Sequence, residues 1–483
     1  MTGHQLARSC VVLVAVVVIG CGGGSSPERS TPAGGVSSPV APGAAASATT
    51  AGETPSSDSL ETMSPAEPCG PGEAWALSFS NGAACLDEVG WKIFDRTGTP
   101  SWDIDDVAAC ADGTTWLADS SGLVSTDGET WVSHAVATGF TTFSVIACDP
   151  EKGVWLIDYE GVHYYDGETM TTYAASELGS DLAQRATDIA VAPDGRVWVL
   201  TTNNVATWDG TGWQYWEPGN GFEETHYFEQ IVVDQQGRVW VSTSSTGRLL
   251  LYDTEKWSIV AESFLAQSKA LAVDTNNRLW VGTYASGVSV LDGSKWVTYD
   301  RANSDLPSDH VLAIAADISG RVWLGTEWGL VVVEGKKWTV YHMSDSDIRD
   351  NEVVGVAVAG RGPALPGPEA KDPGTLTGRV IMSDGPKSGL KVEACAEDVI
   401  WTVFGSSDAT PCADQEFHEL TTTEAEGKFT FAKLPPGRYA VTVLGPDGKW
   451  LMLTNETGLV ATRFLVEPNE TTDLGDLDIT PTN

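Results

Sequence analysis

Seven tryptophans recur along the middle of this chain at almost one interval: Trp75, Trp116, Trp155, Trp198, Trp240, Trp280 and Trp323. The gaps are 41, 39, 43, 42, 40 and 43 residues. A unit of that length holds about four short strands and cannot bury a core alone, so the units must stack on one another. Residues 270–299 show the unit: Ala-Leu-Ala-Val-Asp, a Thr-Asn-Asn turn, Arg-Leu-Trp-Val-Gly-Thr, a short loop, Gly-Val-Ser-Val-Leu-Asp, a Gly-Ser-Lys turn and Trp-Val-Thr-Tyr. Each run has four to six residues rich in Val, Trp, Tyr and Thr, bounded by Gly, Asp, Asn or Ser. That is a strand-turn-strand pattern. Seven such units predict an all-β chain whose main body is a seven-bladed β-propeller.

The fourth run carries a second periodic aromatic, Trp91, Trp131, Trp213, Trp257, Trp296 and Trp338, with Met170 in the third unit. Four turns before it contain Asp-Gly, at 127–128, 166–167, 209–210 and 292–293. Glycine accepts the positive φ that a tight hairpin requires. One bulky indole at the same place in every unit is expected to fill the wedge between neighbouring sheets, because a ligand site would not need seven. The first unit begins almost at its second strand, Ala74-Trp75, and an orphan inner-type strand, Glu352–Val358, follows the seventh. Residues 352–358 are therefore expected to complete the first blade and close the ring.

The stretches 303–311 (Asn-Ser-Asp-Leu-Pro-Ser-Asp-His-Val), 317–326 (Asp-Ile-Ser-Gly-Arg-Val-Trp-Leu-Gly-Thr) and 329–333 (Gly-Leu-Val-Val-Val) resemble the two-component-regulator propeller repeat. The resemblance spans residues 69–359, closest in blades four, six and seven. It implies an extracytoplasmic sensor or scaffold domain.

The N-terminus reads as an export signal. Arg8 precedes an unbroken apolar run, Val11–Ile19, too short to span a bilayer. The run ends in Val-Ile-Gly-Cys21, which resembles the bacterial lipobox, in which the cysteine is acylated and the chain is cut before it. Residues 1–20 are thus expected to be a signal peptide and Cys21 the lipid site. Residues 21–68, dominated by Gly, Ser, Pro, Ala and Thr, form a tether with no apolar period and an r.m.s. reach of about 35–40 Å. The expected address is extracytoplasmic, held to the cell membrane by the anchor alone. The formal net charge of −38 argues against nucleic acid as a partner, since phosphates repel such a surface.

Six cysteines remain after Cys10 leaves with the signal and Cys21 takes lipid. In an oxidising compartment six suggest three disulfides. Cys110 and Cys148 fall at the ends of inner strands in adjacent blades and are expected to pair. Cys395 and Cys412 stand apart near the C-terminus and should pair. Cys69 is expected with Cys85, Cys110 being its rival.

After a Pro/Gly-rich linker at 360–373 the pattern changes to short alternating strands: 376–382, 390–395, 429–431, 434–443 and 474–479. Residues 374–483 are expected to form a small β-sandwich. Gly378-Arg-Val, Gly427-Lys-Phe-Thr-Phe and Leu434-Pro-Pro-Gly-Arg-Tyr439 resemble the carboxypeptidase regulatory-like domain. The resemblance implies a non-catalytic module of carbohydrate-binding-like fold. The segment 396–418 is an insert relative to that pattern.

No Gly-x-Ser-x-Gly, His-Glu-x-x-His or phosphate-cradling glycine loop occurs. Asp345, Asp347 and Asp350 resemble a calcium loop but lack its glycine and terminal glutamate. No metal or cofactor is expected. Aromatic and histidine side chains outside the blade pattern are the binding candidates: Trp102, His226 and Tyr227 in loops that enter a blade, and Tyr284 and Trp328 in loops between second and third strands. These loops share one rim of a propeller, and exposed Trp and Tyr suit sugar or peptide stacking. The expectation is a monomeric, non-enzymatic platform for an unidentified protein, peptide or glycan. The alternative is a propeller enzyme, a lyase or hydrolase with a metal-dependent site at the channel mouth.

Overall fold

The computed structural model describes residues 68–479, apart from 71, 79–81, 95–103, 120–121, 135–142, 151–152, 159–160, 175–185, 202–203, 219–220, 223–226, 244–246, 262–266, 397–409, 413–416, 447 and 453–461. The expectations for residues 1–67, Cys21 among them, and for Trp102 and His226 fall outside the described residues. Seven antiparallel sheets of four strands each account for residues 74–358, the fourth gaining a short parallel edge at Gly221–Phe222. In the first sheet Val353–Val358 pairs with Ala74–Ser78, Trp75 opposite Ala357. The last strand of the ring is thus hydrogen-bonded into the first blade. The innermost strands neighbour one another all the way round: 353–358, 104–109, 145–148, 186–191, 228–233, 268–273, 311–316 and back to 353–358. The molecule is all-β, a seven-bladed propeller followed by a two-sheet C-terminal unit.

All seven repeat tryptophans lie on second strands, and none is more than 7% exposed. Each belongs to a cluster of buried residues shared with the next blade. Trp280, for example, packs with Leu306, Val311, Val322 and Leu324. A buried indole removes about 150–250 Å² from water, worth some 4–6 kcal/mol at about 25 cal/mol per Å². The outer-strand tryptophans are half-buried, and Trp131, for example, meets Phe94 edge-on at 5.5 Å.

A second device repeats with the tryptophan. In blades five, six and seven an aspartate stands six residues before it and an arginine two before. Asp274 Oδ1 accepts the N–H groups of Asn276 and Arg278 at 2.9 and 3.0 Å. Its Oδ2 accepts Arg278 Nε at 2.7 Å and the Trp280 indole N–H at 2.9 Å. The guanidinium lies over the indole, 5.5 Å from the ring centroid. Asp234–Arg238–Trp240 and Asp317–Arg321–Trp323 repeat the arrangement. One buried carboxylate thus caps the turn and fixes the rotamers of two side chains. In blade four Ala192 occupies that place, and Asp194 pairs with Arg196 at the surface instead. Exposed aspartates perform related work in the outer hairpins. Asp127, Asp209 and Asp253 each accept two backbone N–H groups of their own turn. Those bonds, with a side-chain hydroxyl first for Asp209, hold the three carboxyls below the usual aspartate range. Part of the chain's acidity is therefore turn-building.

Among the described residues three disulfides are present: Cys69–Cys85, Cys110–Cys148 and Cys395–Cys412. Cys110 and Cys148 join adjacent blades with Cα atoms 5.5 Å apart.

The C-terminal unit packs two sheets face to face. One contains Gly374–Met382 between Lys428–Leu434 and Thr471–Asp478, the last running parallel. The other orders His418–Thr422, Lys391–Cys395, Gly437–Leu444 and Trp450–Met452, with Arg463–Val466 also on 437–444. Their shared core holds Leu376, Val380, Phe429 and Phe431 against Val392, Tyr439, Val441 and Val443. The segment expected as an insert through His418 ends in an edge strand, because 418–422 pairs with 391–395. The Pro/Gly linker lies along the propeller. Arg321 Nη1 donates to the Pro363 carbonyl at 2.7 Å, and the Glu369 and Lys371 N–H groups donate to Asp345 and Ser344 carbonyls.

Candidate functional site

The inner strands begin on the propeller face that also carries the loops between second and third strands. Near its start the inner strand bulges in blades one, two, four, five, six and seven. A bulge re-aims side chains and is common beside binding sites. The residues that the bulges skip include Asp105, Thr187, Glu229 and Lys269, and Lys269 Nζ meets Glu229 Oε1 at 2.9 Å.

Asp106 and Asp188 follow two of these bulges. Asp106 Oδ2 accepts the Ile146 N–H at 2.8 Å and Asp188 Oδ2 accepts the Ile231 N–H at 2.7 Å, each reaching into the next blade. Burial among the inner strands pushes Asp106 up to about 6, against the N–H bonds that pull it down, and the Asp105 charge adds to the rise. Burial likewise pushes Asp188 up to about 7, with a contribution from the Asp106 charge. Two carboxyls on the inner strands are therefore pushed toward neutrality, with Asp105 beside the first, while Glu229 is neutralised by Lys269. Such an arrangement can bind a cation or a protonated amine, or exchange a proton.

The rim above blades six and seven is built differently from expectation. Trp328 is only 7% exposed, and it belongs to the hydrophobic core of the C-terminal unit, with Tyr439, Phe431 and Val466. The expected exposed stacking residue is instead an anchor: the second domain sits on this part of the loop face. Charge pairs surround the contact, Arg438 Nε with Asp350 Oδ2 at 3.0 Å and Arg463 Nη1 with Glu352 Oε2 at 3.2 Å. Burial lowers the Arg438 guanidinium pKa, with the neighbouring Arg349 and Arg463 acting in the same direction and Asp350 opposing. Gly329 N–H donates to the Asn351 carbonyl, which ties the Trp328 loop to the segment that carries Asp350.

Tyr284 is half-buried. It stacks on His310 at 4.3 Å and 16°, and His310 pairs with Glu327 beside Trp328. Tyr284 and Trp328 are thus linked through a histidine–glutamate pair. Tyr227 is 54% exposed. Asp345, Asp347 and Asp350 do not converge: they engage the His342 N–H, Lys371 and Arg438 respectively. Beside the docked domain an open cleft is lined by Asp300, Arg301, Leu306, Pro307, Asp309 and His342.

A family model described as two component regulator propeller matches residues 305–328, one repeat that ends on Trp328. No curated protein matches the sequence. Among solved structures the chain is similar to the extracellular domain of a hybrid two component system from B. thetaiotaomicron, at 13% identity and a TM-score of 0.45. That likeness covers 80% of this chain and 57% of the other. PorZ, a surface component of the type-IX secretion system of Porphyromonas gingivalis, matches at 15% identity and TM-score 0.44, over 80% of this chain and 62% of its own. Virginiamycin B lyase from Staphylococcus aureus matches at 12% identity and TM-score 0.41, over 49% and 83%. This chain therefore spans less than two thirds of the length of the first of these.

Proposed function

We propose that the protein is a non-enzymatic, extracytoplasmic binding platform, carried on a lipid anchor at Cys21 and the Gly/Ser/Pro-rich stretch that follows it, and that it recognises a peptide, protein or glycan on the loop face of the propeller. The observation that carries the reading is the composite face itself. The C-terminal unit is seated on one side of the rim through Trp328, Asp350 and Glu352, and the neighbouring cleft at 300–309 remains open. Three disulfides suit an oxidising compartment. Among the described residues no helix is long and apolar enough to cross a membrane. The carboxyls of Asp105, Asp106 and Asp188 on the inner strands favour a ligand with a positive group over an anionic one.

The test is a glycan and peptide array probed with residues 66–483, repeated with Tyr227→Ala and Asp309→Asn. The reading requires captured ligands, cationic peptides foremost, whose binding falls in at least one rim variant and weakens as salt rises. Binding that ignores both variants, or no capture at all, counts against it. A propeller enzyme is the second reading, favoured by the two carboxyls that titrate near neutrality. Turnover of an array ligand by the purified protein, abolished in Asp188→Ala, would replace the first reading with the second.

A further inference from the structure

We propose that Glu393, Cys395, Cys412 and His418 form a redox-gated zinc site, closed while the two cysteines are a disulfide and able to bind Zn²⁺ once it is reduced. The place is the outer face of the second sandwich sheet, opposite the side that carries Val392 and Ala394 in the core. Along 391–395 the side chains of Val392 and Ala394 enter the sandwich core. Strand alternation sends Glu393 and Cys395 to the other face. Yet both are fully buried. A glutamate with no exposure on the outer face of a sheet calls for a specific partner.

The partners are close. Strand register sets Cys395 opposite His418 and Glu393 opposite Thr442. His418 Nδ1 lies 2.9 Å from Glu393 Oε1. The second carboxylate oxygen is buried without a hydrogen-bond partner, as is the Thr442 hydroxyl. A Glu393 oxygen and the sulphurs of Cys395 and Cys412 all lie within 4.8 Å of one another. A tetrahedral zinc site with Zn–S bonds of about 2.3 Å and Zn–N or Zn–O bonds of about 2.0 Å has ligand-to-ligand edges of roughly 3.3–3.8 Å. On reduction the two sulphurs, now bonded to each other, must part from about 2.0 Å to about 3.8 Å, and His418, which now meets Glu393, must turn toward them.

Chemistry selects the metal and the gate. Disulfide sulphurs are poor ligands, whereas two thiolates with an imidazole and a carboxylate are a zinc donor set. Reduction adds two electrons and two protons across the S–S bond and yields two thiols. A dithiol donor gives up both and closes to its own disulfide. Zinc then displaces the two thiol protons to solvent. The cation also satisfies the carboxylate oxygen left without a partner.

The experiment compares the full chain before and after treatment with tris(2-carboxyethyl)phosphine. That reagent takes the oxygen of a water to become the phosphine oxide, and the water's two hydrogens go to the sulphurs. Bound Zn²⁺ is counted by mass spectrometry, and Co²⁺ substitution reports thiolate ligation by its charge-transfer absorption. Reduction should add one Zn²⁺ per chain and the cobalt band. Both should vanish in the Cys395→Ser/Cys412→Ser variant, and Glu393→Gln should weaken binding at least roughly tenfold. His418→Asn, altered at a half-buried position, serves if Glu393→Gln does not fold. No metal gain on reduction overturns the proposal. So does an equal gain in the double serine variant, which would place the metal on the other cysteines, or an affinity unchanged by both the Glu393 and His418 variants.

Discussion

Replacing Trp328 with alanine should detach the C-terminal unit from the propeller without unfolding either. The indole is 7% exposed and packs among Tyr439, Phe431 and Val466 across the junction. Burial of about 150–250 Å² at about 25 cal/mol per Å² gives some 4–6 kcal/mol. Trp-to-Ala changes in cores cost about 3–5 kcal/mol. The side chain starts from a propeller loop between second and third strands, so the loss falls on the contact and on the sandwich core it completes. The ion pairs Arg438–Asp350 and Arg463–Glu352 then hold a weakened junction on their own. Denaturant unfolding should show the sandwich transition moved to lower denaturant, split from that of the propeller. Limited proteolysis should cut first in 360–373, where the chain is otherwise hydrogen-bonded to the propeller. A variant with unchanged unfolding and an unchanged linker cleavage rate would refute the reasoning, because it would mean that the indole contributes nothing to the docking.

Further outcomes follow from other parts of the molecule. Asp274→Ala orphans the Trp280 indole N–H, the Arg278 guanidinium and two turn N–H groups, and should lower stability by about 3–5 kcal/mol in denaturant melts. The surface Asp194→Ala, whose pair with Arg196 is largely exposed, should cost under about 1 kcal/mol. Asp106 and Asp188 have native pKa values of about 6 and about 7, above the ordinary 3.8. The native state therefore holds their protons more tightly than the unfolded chain. Their contribution is most favourable below about pH 4 and is lost as pH rises through 6 and 7. After allowance for partial solvent contact this is about 1–2 kcal/mol each between pH 5 and pH 8. Asp188→Ala should flatten that part of the stability-pH curve, and an undiminished slope counts against the burial argument.

The ring was legible in the sequence because its cause is steric and periodic: each sheet needs one large side chain at one register, and Trp75 through Trp323 supply it. Pairing of Cys110 with Cys148 was readable from the same alignment, since equivalent positions on neighbouring inner strands are close. The Asp–Arg–Trp lock was present as a repeated spacing, six and two residues before Trp240, Trp280 and Trp323. It would have explained part of the acidity that was read as surface charge. Trp328 was misplaced for a different reason. It lies outside the blade period, and nothing local to its loop encodes that Tyr439 and Val466, more than a hundred residues later, cover it. Likewise, the alternation in 391–395 correctly gave a strand, but it could not show that the outer face is covered, so Glu393 and His418 passed unnoticed as a pair. The carboxyls of Asp106 and Asp188 owe their behaviour to a closed ring of inner strands, a property of the assembled fold rather than of any short stretch.

The chain's own second domain occupies part of the propeller's loop face. Hydrogen exchange of the full chain tests it most directly. Amides of 327–329, 350–352 and 437–439 should exchange slowly together in the native protein, and all three segments should speed up in concert in Trp328→Ala. Fast exchange of 327–329 and 350–352 in the native protein, with 437–439 protected alone, would show an uncovered rim and contradict the account.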